Sequence, residues 1–262
     1  MVALDGRYGA GVSIVRDQAI VLRRLDYSET SQVLAVFTRD HGQQRLIAKG
    51  IKRGTKTRAS TGIDLLELGA VMFSLRPGKE GVLATMTEWR QEENFAHLRR
   101  DLVRSYAAQY AAEATAQLTE VHDPHPGLFD ALAAMLHALR EGEPLARLDQ
   151  FLWALLTEIG LRPELDHCMS CGRSVHEDRV AYLSSRQGGA ICRDCEPAVV
   201  EKRRTSGDVI SWLADGAAAD AGPMKQSFDL LDYYITETVG KPLRLAEPLR
   251  AMVGLASQPK PR

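Results

Sequence analysis

Cys168, Cys171, Cys192 and Cys195 are the only thiols in a chain of 262 residues, and they fall as two Cys-x-x-Cys pairs. Two residues between cysteines let a tight turn aim both sulfurs at one point. The 20 residues between Cys171 and Cys192 lie within the usual spacing of a four-thiolate zinc site. Two such turns supply a tetrahedral shell with each sulfur about 2.3 Å from the metal. Gly172 suits the first turn, because glycine takes positive φ without strain. Glu196 holds the equivalent place after the second pair, a poorer match. Two disulfides would require an oxidising compartment, and nothing in the chain directs export. A redox Cys-x-x-Cys is expected once, near a βαβ pattern, and four unrelated buried thiols would need no such spacing. The expectation is one structural Zn2+ per chain, closed by four protein ligands and therefore not catalytic.

The elements that must position these thiols are short. Arg179–Leu183 and Ala190–Ile191, joined through Arg186-Gln187-Gly188-Gly189, predict a hairpin with a glycine turn. Residues 167–200 thus form a zinc-ribbon module. Helical patterns flank it, over 93–166 and 201–255. After Asn94, a plausible N-cap, Leu98, Leu102, Tyr106, Tyr110, Ala114 and Leu118 recur every four residues. Pro124 and Pro126 break that stripe, leaving His122 and His125 in a loop. Leu128–Leu139, ended by Gly142, gives a second helix, and Leu145–Ile159, ended by Gly160 and Pro163, a third. Val209–Leu213 predicts a short helix. Met224–Ile235 predicts another, with Pro242–Leu249 returning to it. The tyrosines read as core.

Residues 14–92 have the period of strands. Ala19–Leu22, Val33–Phe37, Arg45–Ile51, Leu66–Leu75 and Val82–Met86 are five short segments, with Asp40-His41-Gly42 as a turn. Five strands in so short a span suit a small barrel of the OB kind, which leaves one face for oligonucleotides. After the third strand, Lys49, Lys52, Arg53, Lys56 and Arg58 place five cations in ten residues without an acid. A solvated charged loop is the bland account. On such a barrel the segment predicts nucleic-acid contact, with Arg23 and Arg24 extending it. Tyr27, Phe37 and Phe73 are candidate stacking platforms, the last two better suited to the core. Residues 1–13 predict a flexible arm and 256–262 a disordered tail. The fold class is α+β, multi-domain: an N-terminal five-stranded OB-fold barrel followed by an all-α helical domain with an inserted four-cysteine zinc ribbon.

Charge is unevenly distributed. The net value is −1, but residues 1–90 carry 14 Lys and Arg against 9 Asp and Glu, and residues 91–167 carry 6 against 13. A basic front and an acidic middle imply modules with different partners. No apolar run approaches the roughly 18 residues of a membrane span, and the start lacks a signal-peptide core, so a cytoplasmic protein is expected. Catalytic patterns are missing: there is no His-Glu-x-x-His, no phosphate loop and no Gly-x-Ser-x-Gly elbow. Gly9–Ser13, His41-Gly42 and the cysteine module together resemble parts of the NAD-dependent protein deacylases. Such a glycine loop must follow a buried strand and open a helix, and Met1–Tyr8 is too short and polar for that strand. The expected class is a binding protein without enzymatic activity. A zinc-ribbon protein acting on RNA or ribosomes is the alternative, and the deacylase a minor one.

Several stretches in combination resemble the RecO family of bacterial recombination mediators. They are Asp17–Leu22, Tyr27–Ser31, Phe37–Gly42, Ala48–Arg53, and Leu161–Gly172 leading into the cysteines. The resemblance covers roughly residues 15–250 and implies an OB domain, a helical domain and a four-cysteine zinc module. It further implies binding of single- and double-stranded DNA, annealing of complementary strands, and, with RecR, loading of RecA onto DNA coated by single-strand-binding protein. Localisation at the nucleoid follows. The family's basic OB residues map best to Lys49, Lys52 and Arg53.

Overall fold

The computed structural model describes residues 13–53, 62–75, 83–175, 179–217 and 222–257. The expected arm except Ser13, which opens a strand, lies outside them, as do Lys56, Arg58 and the last residues of the expected tail. By compactness the chain divides into two units. One comprises the chain up to Phe95 together with Glu120–Phe129, and the other comprises Ala96–Thr119 and the chain from Asp130 onward. Among the described residues no helix is long and apolar enough to cross a membrane.

The first unit is built on β1 (Ser13–Asp26), β2 (Gln32–Thr38), β3 (Gly42–Ala48), β4 (Leu68–Leu75) and β5 (Ala84–Glu93). They close into a barrel in the order β1-β2-β3-β5-β4. β1 serves two neighbours: Ser13–Ile20 pairs with β4, and Ala19–Asp26 pairs with β2. Its register shifts between Val21 and Arg23, the kind of bulge that bends a strand. Alternate side chains from the strands, among them Ala19, Val21, Leu34, Val36, Leu46, Val71 and Phe73, fill the interior. Phe37 and Phe73 are fully buried, which removes both as stacking platforms.

Two departures from the expected strands have local causes. β3 ends at Ala48 rather than Ile51, because Gly50 takes φ +71 and turns the chain, closed by Arg53 N–H on the Gly50 carbonyl at 3.0 Å. β5 runs to Glu93 instead of Met86, pairing with β4 along a polar stretch that carries no apolar signal.

A buried carboxylate fixes the β2–β3 turn. Asp17 accepts from the Gln18 N–H at 2.7 Å, the Asp40 N–H at 3.0 Å and His41 Nδ1 at 2.7 Å. Gly42 follows at φ +64, where an added Cβ would lie 2.2 Å from the Asp123 carbonyl. The loop carrying His122 therefore packs directly on this turn. His122 N–H donates to Gln43 O at 3.1 Å and its ring meets Gln44 Nε2 at 2.8 Å.

The second unit contains α1 (Leu102–Leu118), most of α2 (Pro126–Ala138), α3 (Pro144–Glu158), α4 (Gly207–Ala214), α5 (Met224–Val239) and α6 (Ala246–Val253). β6 (Val180–Ser184), β7 (Gly189–Ile191) and β8 (Arg203–Ser206) form a separate sheet in the order β7-β6-β8. Asn94 does not cap α1. A 3₁₀ turn over Ala96–Arg100 intervenes, and Asp101 caps by accepting from the Arg104 N–H at 3.0 Å. Leu102 is consequently exposed, and the packed face is made of Ala107, Ala108, Tyr110, Ala111 and Ala114. α6 is a helix of its own, separated from α5 by Gly240 in the left-handed region.

One charged network runs through this unit. Arg250, 2% exposed, donates to Asp232 at 3.1 Å and to Asp229 at 2.5 Å. Asp229 also accepts from Arg203 at 2.6 Å, and Asp232 from the Tyr110 hydroxyl at 2.9 Å. Burial and the Asp232 charge push the Tyr110 hydroxyl well above its ordinary value. Asp149 on α3 is different. It is fully buried, and among the described residues neither of its oxygens meets a donor in good hydrogen-bond geometry; the Ser227 hydroxyl is the one side chain near enough to favour its charged form. Burial raises its pKa well above the carboxylate range.

Two outcomes are expected. Arg250→Met leaves the buried Asp232 without a cation and takes one of two cations from the half-buried Asp229; it should destabilise the helical unit by about 3–5 kcal/mol, read by denaturant titration. For Asp149 the folded state holds the proton more tightly than the unfolded state. Its presence should cost stability progressively as pH rises from the unfolded carboxylate range toward the raised folded value. Asp149→Asn should therefore melt higher than the parent at pH 8, with the gap closing toward pH 4.

Candidate metal centre and nucleic-acid interface

The four sulfurs converge. Cys168, Cys171, Cys192 and Cys195 place their ligand atoms within 4.8 Å of one another, and Cys171 Sγ lies 3.8 Å from Cys192 Sγ. A tetrahedron with sulfurs about 2.3 Å from its centre has edges of about 3.8 Å. A disulfide would need about 2.05 Å, and all four cysteines are free. The donor set and spacing fit zinc binding.

Each knuckle is closed by backbone hydrogen bonds. In the first, Cys168 N–H donates to Arg173 O and Gly172 N–H to Cys168 O, both at 2.8 Å, with Gly172 at φ +74. In the second, Glu196 N–H donates to Cys192 O at 3.0 Å and the chain enters a 3₁₀ turn at Glu196–Ala198. Glu196, the counterpart of Gly172, lies in that turn outside the left-handed region, so the missing glycine costs nothing. The first knuckle is anchored to the sheet where Met169 N–H meets Ala190 O at 2.9 Å. Gly189 is required beside it, since a Cβ would lie 2.4 Å from Glu164 O.

The thiols perturb one another in opposite directions. Burial opposes ionisation of Cys192, yet the Arg173 side chain and the Cys195 amide hold it down at about 6. Hydrogen bonds with Cys192 and Cys171 push Cys195 up to about 12. A divalent cation among them would let all four ionise, because coordination deprotonates thiols outright.

β8, which pairs with β6 along Val180–Leu183, was not foreseen. Arg203-Arg204-Thr205-Ser206 carries no apolar alternation. Its role is to bring Arg203 to Asp229 on α5 and so tie the sheet beside the cysteines to the helices. Glu201 adds a second tie, accepting from the Ser184 hydroxyl at 2.7 Å, the Ser185 and Arg186 amides, and the Tyr233 hydroxyl of α5.

On the barrel, strand alternation sorts the cations. Leu34 and Leu46 point inward, and Arg24 pairs with Leu34, so Arg24 leaves the sheet on the side opposite Arg23, at the end of the barrel, where it stays exposed. It reaches Asp64 at 3.5 Å. Asp26, two residues on, is held by Lys52 at 2.6 Å and by Gln32 at 3.2 Å. Gln32 in turn accepts the Ile63 N–H at 2.9 Å. The Lys52 hydrogen bond is the main reason the Asp26 carboxyl sits below its ordinary value. Arg24 and Lys52 are thus engaged in closing one end of the barrel.

The opposite face is another matter. Cross-strand partners Arg23, Ala35 and Arg45 form one row, and Leu25, Val33 and Ile47 the next. Tyr27 and Lys49 continue it beyond the strand ends. Arg23, Arg45 and Lys49 are exposed, and no acid stands among the strand residues of this face. Arg45 was not singled out in the sequence, where it is isolated in the third strand. Only the register reveals it beside Arg23. Arg53 is exposed at the adjacent turn.

Comparison with known proteins accords with both halves. Residues 12–95 match the family profile described as Recombination protein O N terminal, and residues 99–246 match Recombination protein O C terminal. The DNA repair protein RecO of Halalkalibacterium halodurans is 34% identical over 179 residues, covering 68% of this chain and 67% of that protein. The RecO of an Anaeromyxobacter species is 34% identical over 71% of this chain and 72% of its own. That of Rhodopirellula baltica is 34% identical over 76% and 74%.

The metal centre makes a direct prediction. The purified protein should carry one zinc, and Cys192→Ser should lose it together with the fold of the sheet. Metal binding and local folding share one free energy, on the order of 10 kcal/mol or more in small zinc modules. Metal analysis and thermal melting of both proteins check it.

Proposed function

This chain belongs to the RecO family of DNA repair and recombination proteins, and on that premise we propose that it is a non-enzymatic recombination mediator. It binds single- and double-stranded DNA and anneals complementary strands. With RecR it helps load RecA onto DNA coated by single-strand-binding protein, in the cytoplasm at the nucleoid. The barrel is read as an OB fold, and the four-cysteine centre as a structural zinc that holds the ribbon. No residue is assigned a catalytic role.

The observation that carries the reading is the acid-free row on the outer face of β1, β2 and β3. Arg23 and Arg45 stand two strand widths apart, about 10 Å, with Lys49 beyond them. Like charges arranged this way repel unless an anion lies between them. A phosphate backbone supplies that anion, and contacts to it position a nucleic acid without reading its sequence. Arg53 extends the track, and Lys56 and Arg58, which follow it in sequence, are assigned the same role. Arg24 and Lys52 are assigned to the barrel end instead, since each already holds a carboxylate.

Replacing Arg23, Arg45 and Lys49 together with alanine should weaken binding of all DNA sequences alike. The log–log salt slope on a single strand should become shallower by about 2 units, at about 0.7 for each phosphate left without its cation. Lys52→Ala should lower the melting temperature more than it alters the slope. A triple variant with the parent's affinity and slope would remove the site from this face. Competition between DNA and RNA strands of equal length tests the nucleic acid itself, with DNA expected to win.

A further inference from the structure

Two large apolar side chains stand in solvent beside the cations of this face, Leu25 at 59% and Tyr27 at 66% exposure. They are two residues apart at the end of β1, so strand alternation puts them on the same side as Arg23. Beneath and beside them lie Val33 and Ile47, which are only partly covered. The result is an apolar strip ending in an aromatic ring and edged by Arg23, Arg45 and Lys49.

The backbone under the ring is fixed. Tyr27 N–H donates to Ser31 O at 3.0 Å, Ser28 N–H to the same carbonyl at 3.2 Å, and Ser31 N–H to Ser28 Oγ at 3.2 Å. Lys52 N–H donates to Thr30 O at 3.2 Å, joining this turn to the one after β3. The ring itself has no hydrogen bond or ring contact among the described residues. A rigid stem therefore presents an unoccupied aromatic face next to a row of phosphate-binding charges. Glu29 at the tip of the turn is exposed and disfavours an anion there. Phosphates are left to the Arg23–Arg45–Lys49 side and bases to the Tyr27–Leu25 side.

We infer that Tyr27, supported by Leu25, takes unpaired bases by stacking and is the residue that makes this face favour a single strand over a duplex. In a duplex the base faces are already stacked on one another, so the ring has nothing to accept. In an unpaired strand every base has a free π-face, and stacking on an aromatic side chain is largely indifferent to sequence. The cations serve both forms of DNA, whereas the ring serves one. Because the site is the face already assigned to DNA, the test must separate loss of the ring from loss of the face.

The full chain carrying Tyr27→Ala is titrated with three probes of equal length: a single strand, a duplex, and a strand of abasic residues with the same phosphates. Affinity for the single strand should fall roughly 5- to 100-fold, while the duplex and the abasic strand change by less than about two-fold. The salt slope should not move, since no charge is removed. Tyr27→Phe should bind like the parent, and melting temperatures should change little because the side chain is mostly in solvent, at 66% exposure. An unchanged affinity for the single strand sinks the inference, as does an equal loss on all three probes. If Tyr27→Ala is silent while the triple cation variant weakens binding, only the stacking role fails. If the triple variant binds like the parent, the DNA face itself fails.

Discussion

The helical unit depends on one guanidinium. Arg250 is almost completely removed from water, where an unpaired charge would be prohibitive, and it is tolerated because Asp229 and Asp232 both accept from it. The same two carboxylates reach outward, one to Arg203 on β8 and the other to Tyr110 on α1. A single buried charge therefore fixes α6, α5, α1 and the sheet beside the cysteines relative to one another. Such a network adds little net stability over an apolar core of equal volume. What it does impose is a unique arrangement, since any slip of one helix leaves a charge uncompensated. The cysteine module needs that arrangement, because its sheet is small and would not bury enough apolar surface to hold its place alone.

In the barrel the corresponding constraint is Asp17. A carboxylate with 7% exposure gathers two amides and the His41 ring and so sets the turn between β2 and β3. This explains in physical terms two of the stretches through which the family is recognisable. Asp17 opens one, Asp40-His41-Gly42 closes the other, and the structure joins them at hydrogen-bonding distance. Gly42 completes the arrangement by leaving room for the Asp123 backbone. A second pair of stretches behaves alike: Tyr27–Ser31 and Ala48–Arg53 meet where the Lys52 N–H donates to Thr30 O.

The cysteine cluster was legible because its information is local: residue type and spacing are enough to bring four sulfurs together. The apolar strand segments and the helices α2 to α5 were legible from period. What escaped notice was polar or decided at a distance. β8 and the second half of β5 pair through backbone alone, with side chains that alternate in no apolar sense. The start of α1 was misplaced because Leu98 and Leu102 fit a helical stripe, whereas Asp101 between them offers its carboxylate to the Arg104 amide and starts the helix there. The fate of Asp149 was likewise invisible, since nothing in sequence says that a carboxylate on α3 meets no donor in good geometry.

The cations show most clearly what pattern alone withholds. Arg23 and Arg24 are adjacent and chemically identical, yet the pleat sends them to opposite sides of the sheet. Both are exposed, but only Arg24 meets a carboxylate, that of Asp64. A bulge between Val21 and Arg23 decides which is which, because moving the register by one residue would exchange them. Lys49 and Lys52 divide the same way, one continuing the outer row of β3 and the other turning back onto Asp26. Clustering in sequence is therefore a poor guide to which cations share a face: of Lys49, Lys52 and Arg53, one is turned back onto a carboxylate, while the strands bring together Arg23 and Arg45, which are far apart in sequence. Arg45, with no basic neighbour in sequence, becomes part of a cationic row only through its alignment across Ala35. Charge that binds a polyanion has to be counted by face and net of internal partners, and the barrel supplies both the faces and the partners.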